Sequence, residues 1–367
     1  MLGSDDAPPA GPVLSVPRER GRRRVAVRAA ISRVPGWVVV LVLVLVLALV
    51  VLSAVLSAQA TDTDSGYDLT GLLRAVLRDI LRLRWQFVAI VGVLAAAHYL
   101  AAAFAARAAA GIPLRLGETF LVQLTAAAAN RLTPAGLGGA AVNTRFYLRR
   151  GLPLAEAVGA VAALKVGGAV SDILVLAGLA GAGWLFGLGG VHAETSLLAH
   201  KLSGYVSPLH SWWALLAAGV ALALALAARR YLASRDRVTL RRVWEPMTRL
   251  RHRPAALLIL LGASGCTTML LAFAFAASTA MVPGPQPHIA TGGLLIGFML
   301  GSAASNAIPT PAGVGATETA LVLVLTTAAV PATHAVEVVI IFRVITFWIP
   351  ALLGLLATRH LRRRGAL

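Results

Sequence analysis

The sequence has one cysteine, two lysines and few acids: 15 Asp and Glu stand against 33 Lys and Arg in 367 residues. A single cysteine excludes a disulfide framework and any Cys-based zinc site, and Cys266 lies inside an apolar run. Charge as a whole is scarce, at 13% of residues where soluble domains carry roughly 25%. A chain of this size cannot cover an aqueous surface with so little. What replaces charge is apolar sequence, 58% of residues with a mean hydropathy of +0.80. That composition predicts an all-α polytopic membrane protein. The formal net charge of +18 looks like a signal for nucleic acid. A nucleic-acid-binding domain needs its cations on one solvated face, and here they separate apolar runs. The sequence therefore implies no nucleic-acid partner, no metal and no cofactor.

Runs long enough to cross a bilayer cover about 37–58, 86–110, 157–187, 211–228, 256–282 and 335–357. Two more apolar regions, 118–150 and 289–330, are broken near their middles by Pro and Gly. The run 37–58 exceeds a signal-peptide core and reads as an uncleaved anchor. Of the 31 arginines, 25 fall in the 1–35 tail, the 229–253 loop, the 359–367 tail and the short connections after Arg107 and Arg145. The positive-inside rule places all of these, and both termini, in the cytoplasm of a cell-membrane protein. An even number of crossings then requires each broken region to be a re-entrant hairpin. Arg74, Arg78 and Arg82 form an i+4 row opposite Leu69, Leu73, Val76 and Leu77, the pattern of a helix in the outer interface or of a connector on the bundle.

The most informative feature is a repeat. Thr133-Pro134-Ala135-Gly136-Leu137-Gly138 matches Thr310-Pro311-Ala312-Gly313-Val314-Gly315, with Asn130 and Asn306 ahead of the two motifs. The match continues through Pro153 and Pro331, Ala157 and Ala335, and Lys165 and Arg343. The repeat halves cover about 36–187 and 211–358 within a membrane domain of 36–358, and the topology inverts one against the other. Inverted repeats with discontinuous helices are a transporter architecture. A helix starting after each break aims its free N–H groups and positive dipole end inward, an environment for a phosphate or carboxylate. Lys165 and Arg343 add full charge where an unpaired cation is expensive.

A packing role competes at each of these positions, because small residues also bring membrane helices close together. Glu318 caps its own helix or pairs with Arg343. Lys165 and Asp172, two turns apart on one face, are internal counter-ions or ligands. Asn130 and Asn306 satisfy freed backbone groups or bind substrate, and Arg131 lies mid-hairpin. His98 is expected to make one internal hydrogen bond, and His334 and Glu337 to snorkel at an outer helix end.

Pro309 through Glu318, followed by Arg343-Val344-Ile345-Thr346-Phe347-Trp348-Ile349-Pro350, resembles the signature of the flippase-like transmembrane domain of lysylphosphatidylglycerol synthases. Asn130 through Gly138, then Arg145 and Gly151-Leu152-Pro153, form its first-half counterpart. The resemblance implies a domain that moves an aminoacylated phospholipid between leaflets. Two features depart from the family. The aminoacyltransferase domain of the full-length synthases has no counterpart after Thr358, and no acid follows the first-half glycines as Glu318 follows the second. The expectation is a non-enzymatic translocator of a phospholipid or other phosphate-bearing lipid. Its substrate-binding residues would be Asn130, Arg131, Pro134, Gly136, Gly138, Lys165, Asp172, Asn306, Pro311, Gly313, Gly315, Glu318 and Arg343. The alternative is an enzymatic or non-catalytic membrane partner in lipid or polyprenyl-phosphate glycan metabolism. Partners are anionic membrane lipids, with a second copy or a separate lipid-modifying enzyme also open.

Overall fold

The computed structural model describes residues 82–131, 133, 137–185, 200, 245–307 and 315–367. The expected spans 37–58 and 211–228, the 1–35 tail, the loop 188–210 and nearly all of the 69–84 helix lie outside them. Within the described residues the structure is helical, as the composition requires. In chain order come α1 (Trp85–Ala110), α2 (Leu116–Arg131), α3 (Leu137–Arg149), α4 (Leu154–Leu185), α5 (Pro254–Met281), α6 (Thr291–Ala307), α7 (Ala316–Thr327), α8 (Ala332–Arg343) and α9 (Ile349–Arg363). A π-helical segment, Val344–Trp348, joins α8 to α9.

The boundaries follow local chemistry. α1 ends at Gly111, which takes the left-handed φ of 67° and returns its N–H to the Arg107 carbonyl at 3.3 Å. α5 opens with proline at its first position, where no intrahelical donor is needed. Pro350 explains the π segment. It offers no N–H to the Thr346 carbonyl and its ring crowds that turn, so the preceding turn widens and the helix continues. The run expected at 335–357 is therefore one longer helical rod, Ala332–Arg363, of 32 residues. At about 1.5 Å per residue it exceeds the roughly 30 Å hydrocarbon thickness of a bilayer.

Four of the described helices are long and apolar enough to cross a membrane. They divide by burial. The Ala332–Arg363 rod has 67% of its span window inside the protein, against 22–28% for the spans of α1, α4 and α5. The rod is central and the other three present Val93, Val170, Ile173 and Leu258 outward, as lipid contact demands. One apolar core joins α1, α5, α6, α7 and α8, with Phe275, Phe298 and Phe342 in mutual contact at 5.5–6.0 Å between centroids. A second core joins α2, α3, the start of α4 and the end of α9. It includes Leu361, Ala366 and Leu367, so the last residues fold back onto the bundle.

Neighbour relations repeat between the halves. α1 touches α2 as α5 touches α6, α2 pairs with α3 as α6 with α7, and α3 meets α4 as α7 meets α8. One relation breaks the symmetry. α9 runs along α2, whereas its counterpart α4 meets α6 only briefly. The α2–α9 contact is tight because Gly354 has no side chain: a Cβ there would collide with the Leu124 carbonyl. Thr125 donates to the Gly354 carbonyl across the same seam at 3.3 Å.

Candidate functional site

The second helix break is built around one carboxylate. Gly315 adopts φ 85°, a region costly for any side chain, and turns the chain into α7. Its N–H donates to Glu318 Oε2 at 2.6 Å, while Glu318 Oε1 accepts from Arg343 Nε at 2.6 Å. Both sequence readings of Glu318 thus hold at once: it caps its own helix and pairs with Arg343. The residue is 1% exposed, so both bonds are shielded from water.

Arg343 also brings the first half into the site. Its Cζ stands 3.8 Å from the centroid of the Phe347 ring, and the Cζ of Arg131, at the end of α2, stands 3.4 Å from the same centroid. Arg343 and Phe347 are four residues apart, which on a helix puts them on one face. A ring shared by two guanidiniums offsets part of the cost of bringing like charges together. Tyr99 of α1 turns its hydroxyl to Arg131. Arg131 Nε and Arg343 Nη2 are buried and find no hydrogen-bond partner among the described residues. Sequence reasoning missed Phe347 and Tyr99 as site residues. The i, i+4 spacing from Arg343 was the available signal for Phe347, and none pointed to Tyr99.

The first break is organised by amides. Asn130 Oδ1 accepts the Gly139 N–H at 2.5 Å and Thr133 Oγ1 accepts that of Gly138 at 2.7 Å. Asn143 then donates to the Gly139 carbonyl at 2.9 Å and accepts from Gln123 at 2.9 Å, closing a buried chain of hydrogen bonds. The glycines allow close approach: a Cβ on Gly139 would stand 2.7 Å from Asn130 Oδ1, and one on Gly138 would meet the Ala129 carbonyl. The expectation of free N–H groups after the breaks fails at three glycines. Those of Gly138, Gly139 and Gly315 are already taken by side chains of the protein. The positive charge at the centre comes from the guanidiniums.

Other expected positions separate. Lys165 is exposed on α4, and so does not join Arg131 and Arg343 in the interior. Arg343 ends α8, whose last ten residues are all buried, whereas buried and exposed positions mix along α4 around Lys165. Asp172, also exposed, accepts from Thr268 of α5 at 2.5 Å rather than serving Lys165. His334 and Glu337 do not snorkel. Both are buried, with His334 Nδ1 3.3 Å from Glu337 Oε2. His98 makes the one expected internal bond, to the Thr267 carbonyl at 2.9 Å. Pro134, Gly136, Pro311 and Gly313 lie outside the described residues, as does the side chain of Asn306, which stands in the last turn of α6. A separate cavity of about 370 Å³ opens between the start of α2 and the end of α9, lined by Arg115, Glu118, Leu121, His360, Leu361 and Arg364. No cluster of three or more His, Cys, Asp or Glu suited to a metal occurs among the described residues.

The family model described as "Lysylphosphatidylglycerol synthase TM region" matches residues 20–354. No curated protein matches the chain.

Proposed function

The chain belongs to the lysylphosphatidylglycerol synthase transmembrane-region family, and from that premise we propose that it moves a phosphate-bearing lipid between the leaflets of the cell membrane. The observation that carries this reading is the pair Arg131 and Arg343 on one aromatic ring, with Glu318 as the single carboxylate against them among the described residues. Two cations and one anion leave one positive charge in an apolar interior. Such a charge is expensive to bury and is retained in membrane helices where it meets a substrate or ion. The unpartnered Nε and Nη2 donors suit the oxygens of a phosphate. A lipid whose acyl tails stay in the bilayer while its phosphate passes the guanidiniums fits that charge balance. The two phosphate contacts come from opposite repeat halves, α2 and α8. With the positive-inside pattern, both termini lie in the cytoplasm. The protein acts without catalysis of its own.

Reconstitution into liposomes with fluorescent lipids tests this. Wild type is expected to exchange labelled anionic lipid between leaflets. Arg131→Ala and Arg343→Ala should lose that exchange while remaining monodisperse, and Lys165→Ala, on the exposed face of α4, should retain it. Unaltered exchange in both arginine variants would sink the mechanism. No exchange by folded wild type across a broad lipid panel would point to a non-transporting lipid-binding partner of another membrane protein.

A further inference from the structure

From His334 to Arg343 every residue of α8 is buried, and His334, Glu337 and Arg343 are its ionisable members. Arg343 is balanced by Glu318. His334 and Glu337, one turn apart, face each other without a further ion pair among the described residues. The Nδ1 to Oε2 contact makes Nδ1–H the donor to the carboxylate, so in the neutral imidazole the lone pair is on Nε2. That atom has no hydrogen-bond partner among the described residues.

Nε2 is close to the surface, with the 282–290 segment lying on the imidazole at Gly284. A Cβ on Gly284 would stand 2.5 Å from His334 Cε1 and 2.7 Å from Nε2. Gly284 itself is exposed, so one layer of backbone separates the ring from the outside of the protein. Gln286 holds this segment down by donating to the carbonyls of Thr279 at 3.3 Å and Gly284 at 3.1 Å. The ionisable groups on neighbouring elements are occupied or turned out. Glu318 of α7 is bound to Arg343, Cys266 of α5 is exposed, and His288, Arg82 and Arg84 are exposed on the adjoining connections.

We propose that His334 and Glu337 form a buried proton-binding site, closed by the 282–290 segment at Gly284, whose loading governs whether that segment seals over α8. The chemistry is one proton. With neutral His334 and ionised Glu337 the pair carries one negative charge; a proton taken from water onto Nε2 gives an imidazolium beside a carboxylate, with no net charge. A net charge costs more than a neutral pair to enclose in apolar surroundings. Closure of the segment therefore goes with proton uptake, and release requires the segment to lift and admit water. Resting on the proposed lipid translocation, this gives a proton gradient a way to bias the movement of the rod that carries Arg343.

Two measurements test the site and the coupling separately. Hydrogen–deuterium exchange of the 282–290 backbone in detergent, corrected for intrinsic pH effects, should show protection that falls as pH rises. His334→Gln and Glu337→Gln should lose that pH dependence, and Gly284→Ala should lose protection at every pH while the rest of the protein stays protected. Equal pH dependence in wild type and both Gln variants, or none in wild type, overturns the proton site. In proteoliposomes, a pH gradient should change the rate of leaflet exchange by wild type and leave Glu337→Gln indifferent. Indifference of wild type overturns the coupling even where the site titrates. Absence of leaflet exchange overturns the translocation reading, and the exchange measurement in detergent still decides the site.

Discussion

Glu318 donates nothing and accepts twice, from the Gly315 N–H and from Arg343 Nε, and neither oxygen reaches water. Removing the side chain would affect two elements together: α7 would lose its cap and a buried guanidinium its counter-ion. Glu318→Gln keeps the shape and the cap but leaves Arg343 unpaired, and breaking a buried pair from one side costs about 3–5 kcal/mol. A clear drop in thermal unfolding temperature in detergent is expected. The double variant Glu318→Gln/Arg343→Met should recover most of it, because the uncompensated charge is then gone. No recovery would mean that the pair is held by more than charge balance. At this scale the sequence offered Glu318 two roles and could not choose between them. A carboxylate has two oxygens, and only the position of α8 beside the second break shows that both are used.

Between α2 and α9 the packing depends on one missing side chain. Gly354 lies against the Leu124 carbonyl and 3.1 Å, at its would-be Cβ, from Ala128 Cβ. Gly354→Ala forces the helices apart, and overpacking of this kind costs about 1–3 kcal/mol. The larger consequence is positional, because α2 ends in Arg131. Gly354→Ala is expected to slow leaflet exchange more than Gly178→Ala, whose added Cβ on α4 meets nothing within 4 Å. Equal effects would separate the seam from the site. Elements were largely legible in sequence: broken regions, spans and the proline turn all follow from hydrophobic runs, Pro and Gly. The π segment was legible in its cause, Pro350 inside an apolar run, but its form was not. A helix meeting a proline can kink, stop or widen, and the buried surroundings of the rod favour the course that keeps it continuous.

Across the whole molecule, the two halves share neighbour relations but differ at one seam, with α9 on α2 closed and α4 beside α6 largely open. The halves differ also at Arg343 and Lys165. Equivalent in sequence, one is enclosed and the other faces outward. Topology is a further whole-molecule question. Replacing Cys266 by Ser and introducing single cysteines at Gln286 and at Arg364 should give labelling by a membrane-impermeant maleimide from opposite sides of sealed vesicles. The two positions flank opposite ends of the Ala332–Arg363 rod, so same-side labelling would refute its crossing of the membrane.

Sequence alone determined the solvent, the class and the repeat. A chain with 13% charged residues and continuous apolar runs of about 20 residues reads as an integral helical protein, because a helix of that length crosses the bilayer with its backbone hydrogen bonds satisfied internally, whereas a barrel strand needs only about 10. It also supplied Arg131, Lys165 and Arg343 as cations too costly to bury without a reason. Tertiary structure decided which of these charges meet. Arg131 and Arg343 are 212 positions apart and share one ring, while Lys165 stays outside and His334 with Glu337 goes in. Hydrophobic periodicity specifies that a helix is buried on some face. Which cation lies on that face depends on the seams between helices, and those depend on contacts such as Gly354 against Leu124 that no local pattern encodes.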